Sequence, residues 1–411
     1  MVSTVYIAKT VYGGDGLGRL GDGRVVFVPG AFAGENVKAE IVEERRHFVR
    51  ARLVEIVEPS PDRIGTEAEP AGPSVPGMTY ANLSPEGELK VKESQLADFL
   101  ARARIEVPGG IGRIPVAGPD GAVQSLGYRN KVVYHFARQR GRWAMGYREE
   151  PSHEIVDVTS DPLARPEINA KLGEIRANVV ALLTQGPVAV RKSVEAKGNV
   201  TVRWSARTGV KWWVGDAPAD VVIRESACGN VFEVPSDGFY QVNPEAGDAL
   251  VRAVADAYRG GVADAPDLLD LYCGVGVFGL CCLRNCGAAN PRLIGVESGR
   301  QAVEFARRNA VALKCEAKFF AEEVGRNLRR IPVSPRTTVI VDPPRGGLEP
   351  RVPEWLARSR APRIFYVSCD PATLMRDLRP MLGAYAVESV KWVNMFPRTA
   401  RFETFVALRK V

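Results

Sequence analysis

Asp267-Leu268-Leu269-Asp270-Leu271-Tyr272-Cys273-Gly274-Val275-Gly276-Val277-Phe278-Gly279 reads as a buried strand, a glycine turn and the start of a helix. A strand that runs straight into Gly-Val-Gly lets backbone approach a ligand at its carboxyl end. Working outward, the same unit recurs. Leu293-Ile294-Gly295-Val296-Glu297 is a second strand, followed by a helix to about Leu313, and Asp248 to Tyr258 reads as a helix before the first strand. Thr338-Val339-Ile340-Val341 and Ile364-Phe365-Tyr366-Val367 are further apolar strands, each ending in a polar or proline-containing loop. From about Gly238 onward the alternation is that of a doubly wound α/β sheet, whose ligands sit beyond the carboxyl ends of the strands.

Residues at those strand ends carry the chemistry. Glu297 stands 27 residues after Asp270, at the end of the next strand, where a carboxylate can accept both hydroxyls of a ribose. The turn lacks the third glycine of a pyrophosphate-binding loop, which points away from a dinucleotide and towards S-adenosylmethionine. In Asp342-Pro343-Pro344-Arg345 the prolines stiffen the loop and aim the Asp342 carboxylate at the same crevice; a plain helix-start turn would also fit. Cys369 follows the last strand in Ser368-Cys369-Asp370-Pro371, and Glu403 lies 34 residues further on, between Phe402 and Phe405. A thiol at a strand tip and one semi-buried carboxylate suit methylation of a pyrimidine carbon. Carbon 5 of uracil is too weak a nucleophile until a thiolate adds to carbon 6, and a base must then remove the proton from carbon 5. The bland alternatives are an inert buried thiol and a solvated strand acid. Cys273, Cys281, Cys282 and Cys286 do not make a metal site by this reading, because adjacent helical residues point about 100° apart.

The chain of 411 residues is 45% hydrophobic and 25% charged, enough for several cores. It has no apolar run of about 18 residues and no charged-then-apolar start, so a cytoplasmic, membrane-free location is expected. Its seven cysteines are scattered and odd in number, unlike a disulfide framework. Residues 1–60 read as a small β-barrel, with strands at Val2–Ile7, Arg24–Val28, Asn36–Val42 and Val49–Ile56 and with Gly13-Gly14-Asp15-Gly16-Leu17-Gly18 in a hairpin turn. Residues 61–235 form a central α+β domain after a proline-rich connector, with helices predicted at about 86–103, able to pack on the catalytic domain, and at Pro166–Leu183. Residues 236–411 form the α/β domain. The net charge of +7 suits a polyanion. Arg129, Lys131, Arg138, Arg140, Arg142 and Arg148 interleave with Tyr128, Tyr134, Phe136, Trp143 and Tyr147, and a second basic run spans Arg191 to Lys211, including Arg203. Such runs can hold phosphates and stack bases, or can be solvated hairpin faces whose aromatics pack inward.

Taken together, these residues resemble the TRAM-containing RNA uracil-C5 methyltransferase family, whose members modify uridines in 23S ribosomal RNA or in the T-loop of tRNA. The likeness spans nearly the whole chain and implies an OB-type TRAM barrel, a central domain and a Rossmann-like class I methyltransferase domain. It implies S-adenosylmethionine as cofactor and RNA as partner, with 23S ribosomal RNA as first candidate; a single active site per chain makes a monomer the default. Phe239-Tyr240-Gln241-Val242-Asn243 is similar to the family segment whose glutamine lines the site, which nominates Gln241. Tyr272, Val277, Glu297 and Asp342 are similar to cofactor-site residues, Cys369 to the nucleophile of an S-C-N-P motif written here with Asp370, and Glu403 to the base. Arg129, Lys131, Arg138 and Arg142 are expected to hold the RNA, with the target base flipped towards Cys369. Many members carry an iron-sulfur cluster on four cysteines. The corresponding positions here are Glu69, Val75, Met78 and Asp161, so no cluster is expected. Two rivals remain: an RNA cytosine-5 methyltransferase, and an RNA-binding factor that has lost catalysis.

Overall fold

The computed structural model describes residues 2–65, 75–116, 118, 124–149, 153–287, 291–326 and 328–411. Glu69, one of the four positions aligned with cluster ligands, lies outside them. The chain opens with β1 (Val2–Thr10), β2 (Gly16–Arg19), β3 (Val25–Val28), β4 (Asn36–Glu44) and β5 (Phe48–Glu58), closed in the order β1-β2-β3-β5-β4. Alternation puts Val5, Ile7, Val26, Val28, Val37, Ala39, Val49 and Ala51 in the barrel core. The stretch read from sequence as turn contains a fifth strand. A Cβ at Gly16 would lie 2.6 Å from Ala31 O and one at Gly18 2.5 Å from Tyr6 O, so glycine here permits close strand approach as well as turning.

Helix α1 (Pro85–Ala103) begins at Ser84, whose hydroxyl accepts the Gly87 N–H, and β6 (Ile111–Arg113) follows it. Leu96 and Leu100 of α1 share a core with residues of the C-terminal sheet and helices, among them Leu374 and Leu378. On its other side α1 holds the barrel: Lys9 pairs with Asp98 at 2.6 Å, and the Gln95 amide donates to the carbonyls of Thr10 and Val11.

The central sheet has the order β11-β10-β7-β8-β9. It comprises β7 (Lys131–Gln139), β8 (Arg142–Arg148), β9 (Ile155–Asp157), β10 (Asn199–Ser205) and β11 (Gly209–Val214), covered by α2 (Pro166–Thr184) and α3 (Val188–Lys197). Helix α3 corrects the reading of Arg191–Lys211 as one hairpin face: Pro187 starts it, and Gly198, at φ +62°, caps it in the left-handed region. Tyr128, Tyr134 and Phe136 are buried core residues, and Trp143 and Tyr147 pack against the same core. They are not a base-stacking platform. Val75 belongs to this core and Met78 packs on it, while the buried Asp161 accepts from the hydroxyls of Tyr134 (3.0 Å) and Tyr147 (2.6 Å) and from the Leu163 N–H (2.9 Å).

A hairpin, β12 (Val222–Ala227) and β13 (Asn230–Pro235), leads into the C-terminal domain. That domain contains α4 (Pro244–Arg259), β14 (Asp267–Leu271), α5 (Val277–Asn285), β15 (Leu293–Glu297), α6 (Arg300–Ala312), β16 (Ala317–Ala321), β17 (Thr337–Val341), α7 (Val352–Arg358), β18 (Arg363–Ser368), α8 (Pro371–Leu378), β19 (Tyr385–Val393) and β20 (Glu403–Lys410). Its sheet runs β16-β15-β14-β17-β18-β20-β19-β6, parallel from β16 to β18 and antiparallel where β20 joins β18 and β19. Thus β6, from the region before the central sheet, forms the edge of the C-terminal sheet. The β12–β13 hairpin is likewise tied to α6, through the Asn309 side chain and the Glu233 backbone at 2.8 and 3.0 Å. Among the described residues no helix is long and apolar enough to cross a membrane.

Candidate active site

At the carboxyl end of β14 the backbone is forced into an unusual shape. Tyr272 has φ +62° and Gly276 φ +85°, which bend the chain from strand into α5 within a few residues. Asp270, fully buried, accepts the Gly279 N–H at 2.9 Å and so ties the strand to the helix. Its other oxygen has no partner among the described residues, and burial pushes its carboxyl up to about 7. Glu297 closes the turn from β15, accepting the N–H groups of Gly274 at 3.2 Å and Gly299 at 2.7 Å. The Tyr272 hydroxyl donates to Glu349.

Beside this turn lies a narrow cleft with an inner volume of about 60 Å³, lined by Phe239, Tyr240, Gln241, Tyr272, Val277, Phe278 and Asp342 among others. An apolar and aromatic wall with a few convergent polar groups is the make-up of a small-molecule site. Glu297 is not one of its lining residues, but it bonds directly to Gly274, which is.

Asp342, after β17, links the cleft to the second half of the site. Burial and the neighbouring Asp270 push its carboxyl up to about 7. Cys369 stands between the end of β18 and α8, whose first turn is capped by Asp370 accepting from Ala372 N (3.0 Å) and Thr373 N (3.1 Å). Burial, then the fields of Glu403 and Asp342, push the Cys369 thiol up to about 12, with Arg345 opposing. Glu403, 4% exposed at the start of β20, has its carboxyl held far above the usual range by burial and by Asp342. Thiol and acid therefore sit within electrostatic reach on neighbouring strands of one sheet, because β18 pairs with β20 through Ser368 and Thr404.

Near the Cys369 loop, which Arg401 reaches through Asp370, opens a second crevice, of about 460 Å³, built from all parts of the chain. The barrel supplies Gly13, the connector Thr79, the central sheet region Arg129 and Lys131, and the C-terminal domain Arg345, Phe396 and Arg401. Among the described residues four cations and no carboxylate line it. Arg138 and Arg142 are exposed and lie elsewhere, at the far end of the β7–β8 hairpin. At about 3.3 Å per residue, Arg138 is roughly 23 Å from Lys131. Tyr12 and Arg401 carry no sequence signal. Arg401 donates to the Tyr12 hydroxyl at 2.9 Å and pairs with Asp370 at 3.4 Å, while the Tyr12 hydroxyl lies 3.5 Å from the Cys369 carbonyl. Cys281 and Cys282 are buried, and among the described residues no group of His, Cys, Asp or Glu could hold a metal.

A closed TRAM-type barrel joined to a doubly wound sheet with a cleft at its carboxyl edge defines a multidomain protein with a methyltransferase fold. A family model for tRNA (uracil-5-)-methyltransferase matches residues 227–411, and one for the TRAM domain matches residues 2–54. An uncharacterized RNA methyltransferase of Streptomyces coelicolor is 31% identical, over 98% of this chain and 92% of its own length. Another from Thermotoga maritima is 28% identical, over 100% of this chain and 99% of its own. Among solved structures, the tRNA (uracil-54, C5)-methyltransferase of Pyrococcus abyssi in complex with S-adenosyl-L-homocysteine superposes with TM-score 0.73. It is 22% identical and covered over 99%, with 98% of this chain, which bears on the fold alone. The chain belongs to the TRAM-containing RNA (uracil-5-)-methyltransferase family.

Proposed function

We propose that the protein transfers a methyl group from S-adenosylmethionine to carbon 5 of a uridine in a structured RNA, 23S ribosomal RNA in the first instance, through a covalent adduct of Cys369 with carbon 6. One observation carries this reading: a thiol, a buried acid and a cation-lined crevice converge beside the Asp342 cleft. The cleft fits the cofactor in its aromatic lining and in the carboxylate of Asp342 among its walls. When bound, the cofactor supplies the electrophilic methyl. Gln241, Tyr272 and Val277 line its place, and Glu297 holds the loop beneath it. Cys369 gives up its thiol proton to solvent and adds as thiolate to carbon 6, pushing the ring electrons to carbon 5, which takes the methyl. Glu403, in its ionised form, then removes the proton from carbon 5, and the electron pair left behind re-forms the double bond and expels the thiolate. Arg129, Lys131, Arg345 and Arg401 hold the RNA backbone around the flipped base.

Mapping 5-methyluridine in ribosomal and transfer RNA from a strain lacking this gene tests the assignment. One 23S position losing its methyl group is expected. Loss from the tRNA T-loop alone moves the acceptor to tRNA, and no loss in either RNA contradicts the proposal.

Three further results are expected. A Cβ on Gly247 would meet Gln241 Cβ at 2.8 Å, so Gly247→Ala should displace Gln241 and weaken S-adenosylhomocysteine binding by about tenfold in calorimetry. For Asp342 the sign is set by a folded-state value, about 7, above the ordinary 3.8. The unfolded chain releases this proton first, so the folded state loses stability as pH rises from about 4 to about 7, and the penalty persists above. Asp342→Asn removes that penalty. Its melting temperature relative to the parent should climb across this window and level off above it, by roughly a few degrees, while methyl transfer is lost. Lastly, anaerobically purified protein should be colourless and iron-free, because Val75, Met78 and Asp161 offer no thiolate.

A further inference from the structure

We propose that Arg203 positions the Phe239–Gln241 segment from the central domain, so that the cofactor side of the cleft depends on a sheet that touches neither cofactor nor reacting atoms. This rests on the reading of the Asp342 cleft as the cofactor site.

By sequence Arg203 belongs to a basic run suited to RNA. Its register agrees, since β10 places it directly across from Lys131 on one side and Lys211 on the other, all three on one face of the sheet. Its surroundings do not. Arg203 is 1% exposed, while Lys211 is exposed and Lys131 lines the basic crevice. Its guanidinium turns away from solvent, with Nη1 donating to the carbonyls of Pro235 (3.3 Å), Ser236 (3.2 Å) and Gly238 (2.9 Å), and Nη2 to Glu225 Oε1 at 3.4 Å.

Those carbonyls end where Phe239-Tyr240-Gln241 begins. On the other side of the triplet, the Val242 carbonyl accepts the Asn130 N–H at 2.9 Å, and the Asn130 amide reaches the same Glu225 oxygen at 3.4 Å. The Tyr240 hydroxyl donates to the Ser226 carbonyl at 3.0 Å. The cleft-lining triplet is therefore fixed before, within and after itself by groups that lie outside the cleft. Hydrogen bonds from a buried cation to carbonyls are strong, and removing the cation leaves both the carbonyls and Glu225 without it. Arginine suits the task because one planar fork serves the carbonyls and the carboxylate together, whereas lysine offers a single nitrogen.

The experiment measures three quantities on the full-length parent, Arg203→Met and Arg203→Lys: the dissociation constant for S-adenosylhomocysteine, that for a uridine-rich RNA oligonucleotide at two salt concentrations, and the melting temperature. The expected result is S-adenosylhomocysteine affinity lowered at least about tenfold in Arg203→Met and partly recovered in Arg203→Lys, with oligonucleotide affinity within about twofold of the parent. A folded Arg203→Met that binds S-adenosylhomocysteine like the parent overturns the proposal, and so does a fall in oligonucleotide affinity with a shallower salt dependence, which marks a phosphate contact. If the methionine variant does not fold, Arg203→Lys decides on the same readouts: weakened S-adenosylhomocysteine binding at unchanged oligonucleotide affinity supports the role, and unchanged binding refutes it. A parent protein that binds no S-adenosylhomocysteine overturns the cofactor assignment itself, and the two failures are thereby distinguished.

Discussion

Cys369→Ala is expected to form no detectable 5-methyluridine, while its affinity for S-adenosylhomocysteine stays within about threefold of the parent. The asymmetry follows from where the thiol sits. The cofactor cleft is lined by the Phe239–Gln241 segment, the glycine turn and Asp342, and Cys369 is not among its walls. The Cys369 loop instead touches Tyr12 and, through Asp370, Arg401, which lines the basic crevice. Losing a covalent nucleophile removes the whole reaction path, so the effect is all-or-none rather than graded. Side-chain loss should cost little stability, because the thiol is only half-buried. Residual methylation at more than about a thousandth of the parent rate, measured by mass spectrometry of digested RNA, would mean that carbon 5 is activated some other way.

Glu403→Gln should show the opposite signature: chemistry that starts and cannot finish. The side chain is buried, and burial disfavours its charged form, so a neutral amide of the same shape fits with little disturbance. Cys369 addition and methyl transfer then proceed, but no group in Glu403's place can take the proton from carbon 5, and the thiolate cannot be expelled. Turnover should fall by at least about a thousandfold, within the range that general-base loss and trapping together produce. RNA and protein should remain joined through denaturing electrophoresis, and the joined species should carry label from methyl-labelled cofactor. A Glu403→Gln enzyme with ordinary turnover would transfer the base role to another group.

The parts of this molecule that could be read from sequence are those written locally. Asp267–Gly279 states strand, turn and helix within thirteen residues, and the ends of the other parallel strands are written the same way, at Glu297, Asp342 and Cys369. The TRAM barrel was legible through alternation, apart from β2, where Gly16 and Gly18 give the signal of a turn although they serve strand contact. The central sheet was harder. Alternation in Lys131–Gln139 puts Tyr134, Phe136 and Arg138 on one face, but only tertiary packing decides that the first two are buried in the core while Arg138, near the end of the strand, is exposed. Arg203 and Lys211 look alike in sequence and meet opposite fates, because a carbonyl cluster from residues 235–238 covers only one of them. Tyr12 and Arg401 were invisible for a related reason. Their contacts with the Cys369 loop join the first barrel hairpin to the last strands of the chain, and no local pattern encodes a pairing of that span.

The central claim, a covalent bond between Cys369 and carbon 6 of a uridine that has already received its methyl group, is tested most directly by mass spectrometry of the RNA-linked species from Glu403→Gln. After digestion with nuclease and protease, the account predicts a peptide containing Cys369 that carries one methylated uridine nucleotide, absent from the Cys369→Ala, Glu403→Gln double variant. A nucleotide linked to any other residue, a linked cytidine, or free 5-methyluridine accumulating with no linked peptide would contradict it.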